Sequence, residues 1–231
     1  MPRWIAPLAV LGFLAVSAVI GMAFFYAPVA QCSAGCLSQK IFYLHVPSAY
    51  AMYIGVGACV IGSVGYLVTR SRGWDALAHA GAEVHVLFAT IVLTTGPIWA
   101  RKAWGHYWEW EPRLTTTLLG ALIFVSYLVL RAGGGEAEKK FSSALAIMGA
   151  AVMPVIHFSV QLWRGQHPTV ITQRGGGVDP AMGRTLALGF VAFTILAAAL
   201  IALRARLALM ESRIDELRVD ATSAGLLEDH S

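Results

Sequence analysis

Six long apolar segments separated by short polar stretches constrain this chain more than any other feature of its sequence. They lie at about residues 4–26, 44–69, 77–100, 113–131, 142–163 and 183–205. A helix of about 20 mainly apolar residues is long enough to cross the hydrocarbon core of a bilayer, and a helix satisfies its own backbone groups there. The sequence therefore predicts an all-α, polytopic membrane protein with six transmembrane helices.

The overall composition excludes a sizeable soluble domain. Hydrophobic residues make up 57% of the 231 residues and charged residues 13%, against about 45–50% and about 25% in soluble domains. Six spans and their connections use nearly the whole chain, and the spans face membrane lipid. The formal net charge is +4, but the basic residues are scattered among the loops, so we expect no nucleic-acid partner.

The distribution of lysine and arginine predicts the orientation of the spans. Ten of these residues lie on the side of the two termini and seven on the other side, and positively charged loops favour the cytoplasmic side. We expect both termini to be cytoplasmic, with outer loops at about residues 27–43, 101–112 and 164–182. The first apolar run follows Arg3 but is longer than a usual signal-peptide core, so it is interpreted as a retained span.

The C-terminal region differs in character from the spans. Residues 1–206 are predicted to form the six-span membrane domain and residues 207–231 a cytoplasmic tail. Apolar residues recur there at intervals of four and three, at Leu203, Leu207, Met210, Ile214 and Leu217. This spacing predicts a short amphipathic C-terminal helix, which could pack on a partner helix or lie along the membrane surface.

The three cysteines leave their pairing open. Cys32 and Cys36 lie close together in a polar outer loop. A disulfide between them requires an oxidising compartment, and the alternative is two unpaired thiols. Cys59 lies in an apolar run and is interpreted as a small buried residue.

The most informative segment is the loop between the third and fourth spans, which reads Trp104-Gly-His-Tyr-Trp-Glu-Trp-Glu-Pro-Arg113. A single tryptophan at this depth is explained by the aromatic belt of membrane proteins. Three tryptophans and a tyrosine within seven residues instead indicate a flat, rigid platform for a planar aromatic ligand. Arg101 and Arg113 are placed to pair with carboxylates at its edge, and Pro112 is placed to open the fourth helix.

Two histidines flank this loop from the other outer segments. His45 lies at the head of the second span and His167 follows the fifth span, so the topology places them at one membrane depth. Beside an aromatic platform they could supply the two axial imidazoles of a haem iron. His106, within the platform, is an alternative ligand, whereas His157 lies deeper and is interpreted as a supporting residue.

Three ionisable residues of the third span are functional candidates, because such groups are costly inside a membrane. They are His79, Glu83 and His85. His79 and Glu83 lie one turn apart on one helix face, where a structural hydrogen bond competes with a role in handling protons or haem. Both interpretations expect Glu83 to point into the bundle.

Four motifs carry a resemblance to a known family. They are Ile41-Phe-Tyr-Leu-His-Val-Pro-Ser-Ala49, Gly96-Pro-Ile-Trp-Ala-Arg101, Trp104-Gly-His-Tyr-Trp-Glu-Trp-Glu-Pro-Arg-Leu114 and His157-Phe-Ser-Val-Gln-Leu-Trp-Arg-Gly-Gln-His167. Over nearly the whole chain the sequence resembles the haem-handling proteins of cytochrome c biogenesis with a tryptophan-rich outer motif, and among them the six-span CcmC family. It departs from the family pattern at Glu111, where aspartate is common, and at His106, where a smaller residue is common.

The resemblance implies a function and a set of partners. Haem b is held at the outer face of the bacterial inner membrane and presented to a membrane-anchored haem chaperone, CcmE, which binds it covalently. The complex CcmAB and the small subunit CcmD belong to the same assembly. The residues implied to bind haem are His45 and His167 as axial ligands and Trp104, Trp108, Trp110 and Arg113 as the platform. From their positions in the sequence we add Arg101 and Glu111 to this site, and we expect Glu83, His85 and His157 to support it.

Two other functions compete with haem presentation. A haem permease or exporter subunit would line several spans with polar residues, and apart from His79, Glu83, His85 and His157 the spans are apolar. A cytochrome c haem lyase would need further spans or an outer domain to receive its polypeptide substrate, and the chain has little room for either. We therefore expect a haem-presenting protein without an independent enzymatic activity.

Overall fold

The structure is a computed structural model that describes residues 3–29, 36–133, 135–163, 167 and 178–224. Within these ranges the regular structure is entirely helical. The α-helices are α1 (Ile5–Phe25), α2 (Phe42–Thr69), α3 (Arg72–Ala103), α4 (Pro112–Arg131), α5 (Glu136–Ala150), α6 (Val152–Trp163) and α7 (Pro180–Ser223), and a 3-10 helix at Cys36–Ile41 leads into α2.

Six helical segments are long and apolar enough to cross a membrane, which confirms the predicted fold class. They are Ile5–Phe25, Leu37–Thr69, Arg72–Ala103, Pro112–Arg131, Glu136–Ser159 and Pro180–Ser223. The fifth segment consists of α5 and most of α6, which are separated at Ala151. Pro154 lies just after this break, and it has no backbone N–H to donate to the carbonyl of residue 150.

Helices α2 and α3 pack closely because glycines remove side chains from their interface. A Cβ on Gly55 would lie 2.6 Å from the backbone nitrogen of His85, and a Cβ on Gly62 or Gly81 would also collide with the facing backbone. Small residues let membrane helices approach in this way. Gly55 faces His85, and Gly62, seven residues further along α2, faces Ala78, seven residues earlier in α3. The antiparallel register is therefore constant along the pair.

An ion pair and a hydrogen bond connect the helices at the end of the bundle where α2 ends and α3 begins. Arg131 of α4 contacts both carboxylate oxygens of Asp75 in α3, at 2.7 and 2.8 Å. The hydroxyl of Tyr66 donates to Glu136 at 2.7 Å. His45 and the tryptophan-rich loop lie at the other end of the same helices, which we call the histidine end.

Helix α7 joins the sixth predicted span and the predicted tail into one continuous helix. Its 44 residues correspond to a length of about 66 Å at about 1.5 Å per residue, roughly twice the hydrocarbon thickness of a bilayer. The tail positions Met210, Ile214 and Leu217 are 54%, 48% and 59% exposed.

Cys32 and the side chain of Cys36 lie outside the described residues, whereas Cys59 is fully buried, as its apolar surroundings predict.

Candidate functional site

His45 is held at the histidine end by two residues of α3. Its Nδ1 lies 2.8 Å from the Thr95 hydroxyl, and that hydroxyl also lies 2.7 Å from the Ile91 carbonyl oxygen one turn earlier. The ring passes so close to α3 that a Cβ on Gly96 would be 3.3 Å from its Cε1. The imidazole is therefore oriented by a hydrogen bond on one edge and by the bare backbone of a glycine.

His167 lies beside His45, as the topology argument predicts. The two ring centroids are 6.5 Å apart and the ring planes differ by 30°. Two imidazoles bound on opposite sides of one metal ion, each with a metal–nitrogen bond of about 2 Å, place their centroids roughly 6 Å apart. The observed centroid separation is close to that value.

Arg113 connects His167 to the fifth span. Its Nη1 lies 3.2 Å from His167 Nδ1, and its Nη2 donates to the His157 carbonyl oxygen at 3.1 Å. His157 thus contributes its backbone to the site, while its side chain is exposed and its ring packs edge-on against Phe158. The half-buried guanidinium thus places a positive charge beside the histidine pair.

The start of α4 explains the position of Arg113. Gly105 has a φ of +87°, which a residue without Cβ adopts without strain, and it turns the chain just after α3 ends. Glu111 is extended, with a ψ of 158°, and Pro112 occupies the first turn of α4. Arg113 is therefore fixed within the first helical turn, where its side chain reaches both His167 and α6.

The three tryptophans of the loop take part in two edge-on pairs, one of which includes Trp99 of α3. Trp104 packs edge-on against Trp99, with centroids 5.1 Å apart, and Trp108 packs edge-on against Trp110, with centroids 5.6 Å apart. Trp110 is 76% exposed, which leaves most of its surface open to a ligand. The rings of each pair meet at nearly right angles, whereas the sequence suggests a single flat platform.

Two of the predicted loop residues are engaged within the loop itself. Arg101 donates to the carbonyl oxygen of Gly105, and its guanidinium lies 5.8 Å from the centroid of the Tyr107 ring. His106 Nε2 lies 3.7 Å from a Glu109 carboxylate oxygen. Both side chains therefore stabilise the turn after α3.

Glu111 is the most unusual residue of the site. It is only 8% exposed, and neither carboxylate oxygen has a hydrogen-bond partner among the described residues. The indole nitrogen of Trp108 and Nε of Arg113 are likewise buried without a hydrogen-bond partner in that part of the chain. Burying unpaired polar groups costs free energy, which makes these atoms candidates for contact with a polar ligand.

The intramembrane candidates lie apart from the histidine pair. Glu83 accepts two hydrogen bonds from Arg204 of α7, one of them at 2.6 Å, and its Oε1 lies 3.4 Å from His79 Nε2. His85 is fully buried, with Nδ1 3.1 Å from the Met52 carbonyl oxygen. Thr95, on the same helix, lies three turns away from Glu83, so these contacts of Glu83 and His85 are contacts between helices at a distance from the histidine pair.

Sequence reasoning missed three residues. Thr95 and Gly96 hold His45. Arg204, one of the ten basic residues counted from the sequence on the side of the two termini, is the partner of Glu83. The glycines of α2 and α3 could have indicated Thr95, because they mark the close interface between the two helices. The register that pairs Gly62 with Ala78 across this interface also pairs residue 45 with residue 95.

The histidine pair also limits which metal group could bind. Among the described residues, no cluster of three or more His, Cys, Asp or Glu side chains could hold a metal ion. Two imidazoles alone leave most coordination positions of a metal unfilled. A porphyrin supplies four nitrogen ligands of its own, and two histidines complete the coordination of its iron.

The sequence matches a known family. The family model described as CcmC, Heme exporter protein C, matches residues 1–220. The chain belongs to the CcmC family. It is thus a multi-pass membrane protein of a family that handles haem in cytochrome c biogenesis, as the four motifs indicated.

Relatives occur in bacteria and in plants. The Heme exporter protein C of Bradyrhizobium diazoefficiens is 34% identical over 161 residues, which cover 68% of this chain and 61% of the relative. That of Escherichia coli K12 is 32% identical over 181 residues, covering 76% and 73%. A protein of Arabidopsis thaliana named as a putative cytochrome c biosynthesis ccmC-like mitochondrial protein is 29% identical over 183 residues, covering 78% and 70%. The aligned region spans less than two thirds of the Bradyrhizobium relative.

Proposed function

We propose that this member of the CcmC family binds haem b between His45 and His167 and presents it to a membrane-anchored haem chaperone of the CcmE type. The observation that carries the proposal is the separation of 6.5 Å between the two imidazole centroids. Haem supplies an iron that accepts nitrogen ligands above and below its plane. The two histidines bind that iron, and the protein itself needs no catalytic group.

The surrounding residues have distinct roles in this proposal. Arg113 lies against His167 and supplies positive charge for a propionate, because guanidinium pairs with carboxylates through two parallel hydrogen bonds. Trp104, Trp108 and Trp110 offer ring surface to the porphyrin. Arg101 holds the turn that carries these rings. Glu111 offers buried acceptors beside them.

The location of the site follows from the topology that we propose. An even number of spans places both termini on one side, and the bias of basic residues favours the cytoplasm for that side. The histidine end then faces the outer side of the bacterial inner membrane. A chaperone anchored in that membrane reaches haem there without crossing the bilayer. The other proposed members of the assembly are the complex CcmAB and the small subunit CcmD.

Haem occupancy of histidine variants tests the binding step. We expect purified wild-type protein to carry haem with a visible absorption band, and His45→Ala and His167→Ala to lose most of it. His79→Ala is the matched control, because His79 contacts Glu83, away from the site, and it should retain wild-type haem content. Full haem occupancy in both site variants would overturn the assignment of the two ligands.

Co-expression with a CcmE-type chaperone tests the presentation step. We expect covalent haem to appear on the chaperone with wild-type protein and to be lost with His45→Ala. If the wild-type protein binds haem but the chaperone is never loaded, the binding site stands and presentation is wrong.

An exporter is the second candidate, because the bacterial relatives are named Heme exporter protein C. Export predicts that haem supplied only inside sealed vesicles containing the purified protein appears outside. Presentation predicts that only haem supplied on the outer side, or from the lipid, reaches the chaperone.

A further inference from the structure

The hydrogen bonds of Thr95 determine which nitrogen of His45 carries a proton. A hydroxyl has one hydrogen to donate. The Thr95 hydroxyl lies 2.7 Å from the Ile91 carbonyl oxygen, which can only accept, so the hydrogen points there. The hydroxyl oxygen must then accept a hydrogen bond from His45 Nδ1 at 2.8 Å.

A neutral imidazole has one protonated nitrogen and one nitrogen with a free lone pair. With the proton on Nδ1, neutral His45 has its lone pair on Nε2. Histidine ligands of metals commonly donate their second nitrogen to such a partner, which fixes both the tautomer and the ring orientation. Thr95 therefore prepares His45 to bind iron through Nε2.

The same reasoning gives the opposite result for His167. A guanidinium has donors only, so His167 Nδ1, 3.2 Å from Arg113 Nη1, must accept. Neutral His167 then carries its proton on Nε2, and its lone pair is engaged by Arg113. In this arrangement His167 has no lone pair to offer a metal.

We propose that Thr95 and Arg113 hold the two histidines in opposite tautomers, so that His45 binds iron first and His167 only after Arg113 turns to a carboxylate of the ligand. This inference rests on the proposed haem binding. When the guanidinium leaves Nδ1, the proton of His167 moves from Nε2 to Nδ1, with no net gain or loss of protons. Thr95 and Arg113 are positioning residues, because each acts through a histidine.

The environment of Arg113 suits this exchange of partners. Its bond to the His157 carbonyl oxygen anchors the side chain on α6, while its Nε is buried without a hydrogen-bond partner among the described residues. A carboxylate accepts from two guanidinium donors at once, which is stronger than one bond to a neutral ring nitrogen. Binding of a porphyrin with two carboxylates would thus make the lone pair of His167 available to the iron. A porphyrin without carboxylates would leave that lone pair bonded to Arg113.

The first experiment measures the tautomers in the protein without haem. Nitrogen NMR of protein labelled at histidine, assigned with His45→Ala and His167→Ala, should show a protonated Nδ1 in His45 and a protonated Nε2 in His167. Thr95→Val should abolish the preference of His45, and Thr95→Ser should restore it. Thr94→Val is the matched control, because exposed Thr94 makes the same bond to the carbonyl one turn earlier. Identical tautomers in the two histidines would overturn the proposal.

The second experiment compares haem with its dimethyl ester, which lacks free carboxylates. Wild-type protein should give the low-spin spectrum of two imidazole ligands with haem and a high-spin spectrum with the ester. Arg113→Leu should give the low-spin spectrum with the ester as well. Thr95→Val should weaken haem binding about 10- to 100-fold, the usual cost of removing a hydrogen-bond partner of a ligating histidine.

The outcomes separate this proposal from the proposed function. A low-spin ester complex in the wild-type protein would show that Arg113 does not withhold His167, and would overturn the inference while leaving haem binding intact. Failure of the wild-type protein to bind haem or its ester would overturn the proposed function. In that case the NMR measurement still decides the tautomers.

Discussion

The imidazole of His45 packs against the bare backbone of Gly96, where an added Cβ would lie 3.3 Å from Cε1. We predict that Gly96→Ala displaces the ring from Thr95 and lowers haem occupancy severalfold. Folding should be preserved, because replacing a helical glycine by alanine gains up to about 1 kcal/mol of helix propensity. Haem content and thermal unfolding of the purified variant measure the two effects.

Gly57→Ala is the matched control for this prediction. Gly57 also lies within a helix of the bundle, but a Cβ added there meets no atom within 4 Å. It should gain the same helix propensity and keep wild-type haem content. Equal occupancy in the two variants would show that contact with Gly96 does not position His45.

Arg113 should not tolerate replacement by lysine. The guanidinium reaches His167 and the His157 carbonyl oxygen with two different nitrogens, whereas an ammonium is a single point charge. We expect Arg113→Lys to lose haem retention about tenfold while inserting normally in the membrane. Arg206→Lys makes the same change on an exposed part of α7 and should have no effect. If Arg113→Lys retained haem as well as the wild-type protein does, a positive charge at this position would be sufficient for haem retention.

Glu111 is predicted to reduce the stability of the protein in favour of its function. Its carboxylate is buried without a hydrogen-bond partner among the described residues, so Glu111→Gln should raise the free energy of unfolding by about 1 kcal/mol and reduce haem binding. The control is Glu109→Gln, since the Glu109 side chain is 44% exposed. Lower stability of Glu111→Gln, measured by thermal unfolding, would indicate that the charge is compensated.

The ion pair between Glu83 and Arg204 should contribute to stability and not to haem binding. A double-mutant cycle with Glu83→Gln and Arg204→Gln should give a coupling of roughly 1–3 kcal/mol, as for hydrogen bonds between charged groups. All three variants should retain wild-type haem content. Loss of haem in well-folded Glu83→Gln would instead support the direct role in handling protons or haem that the sequence left open.

The membrane-spanning fold could be predicted from the sequence alone. Apolar runs long enough to cross a bilayer are a local property of the chain, and each forms a helix whatever its neighbours. The structure confirms the six helical segments, with Ala151 dividing the fifth and α7 continuing through the tail. The break before Pro154 and the length of α7 depend on backbone hydrogen bonding, which the distribution of apolar residues does not report.

The chemistry of the site was recognisable only in part. His45, His167 and Arg113 could be proposed as site residues because a pair of outer histidines and a tryptophan-rich loop are unusual in a membrane protein, and the structure brings these three residues together. The roles of Thr95 and Gly96 could not, since threonine and glycine are common in spans, and Gly96 entered only as the first residue of a family motif, with no role assigned to it. The role of Arg204 was missed for a similar reason. An arginine near the end of a span is readily interpreted as a determinant of membrane orientation, and only the structure shows its partner, Glu83.

The sequence by itself therefore determined the six spans, their connections and the residue types gathered at the histidine end. Only the tertiary structure decided the register of α2 against α3, which places His45 on Thr95 and Gly96, and the position of Arg113 between His167 and α6. The physical reason is that each apolar run satisfies its own backbone as a helix, whereas the register depends on which glycines let two backbones meet. A hydrogen bond between side chains 50 residues apart exists only once that register is set.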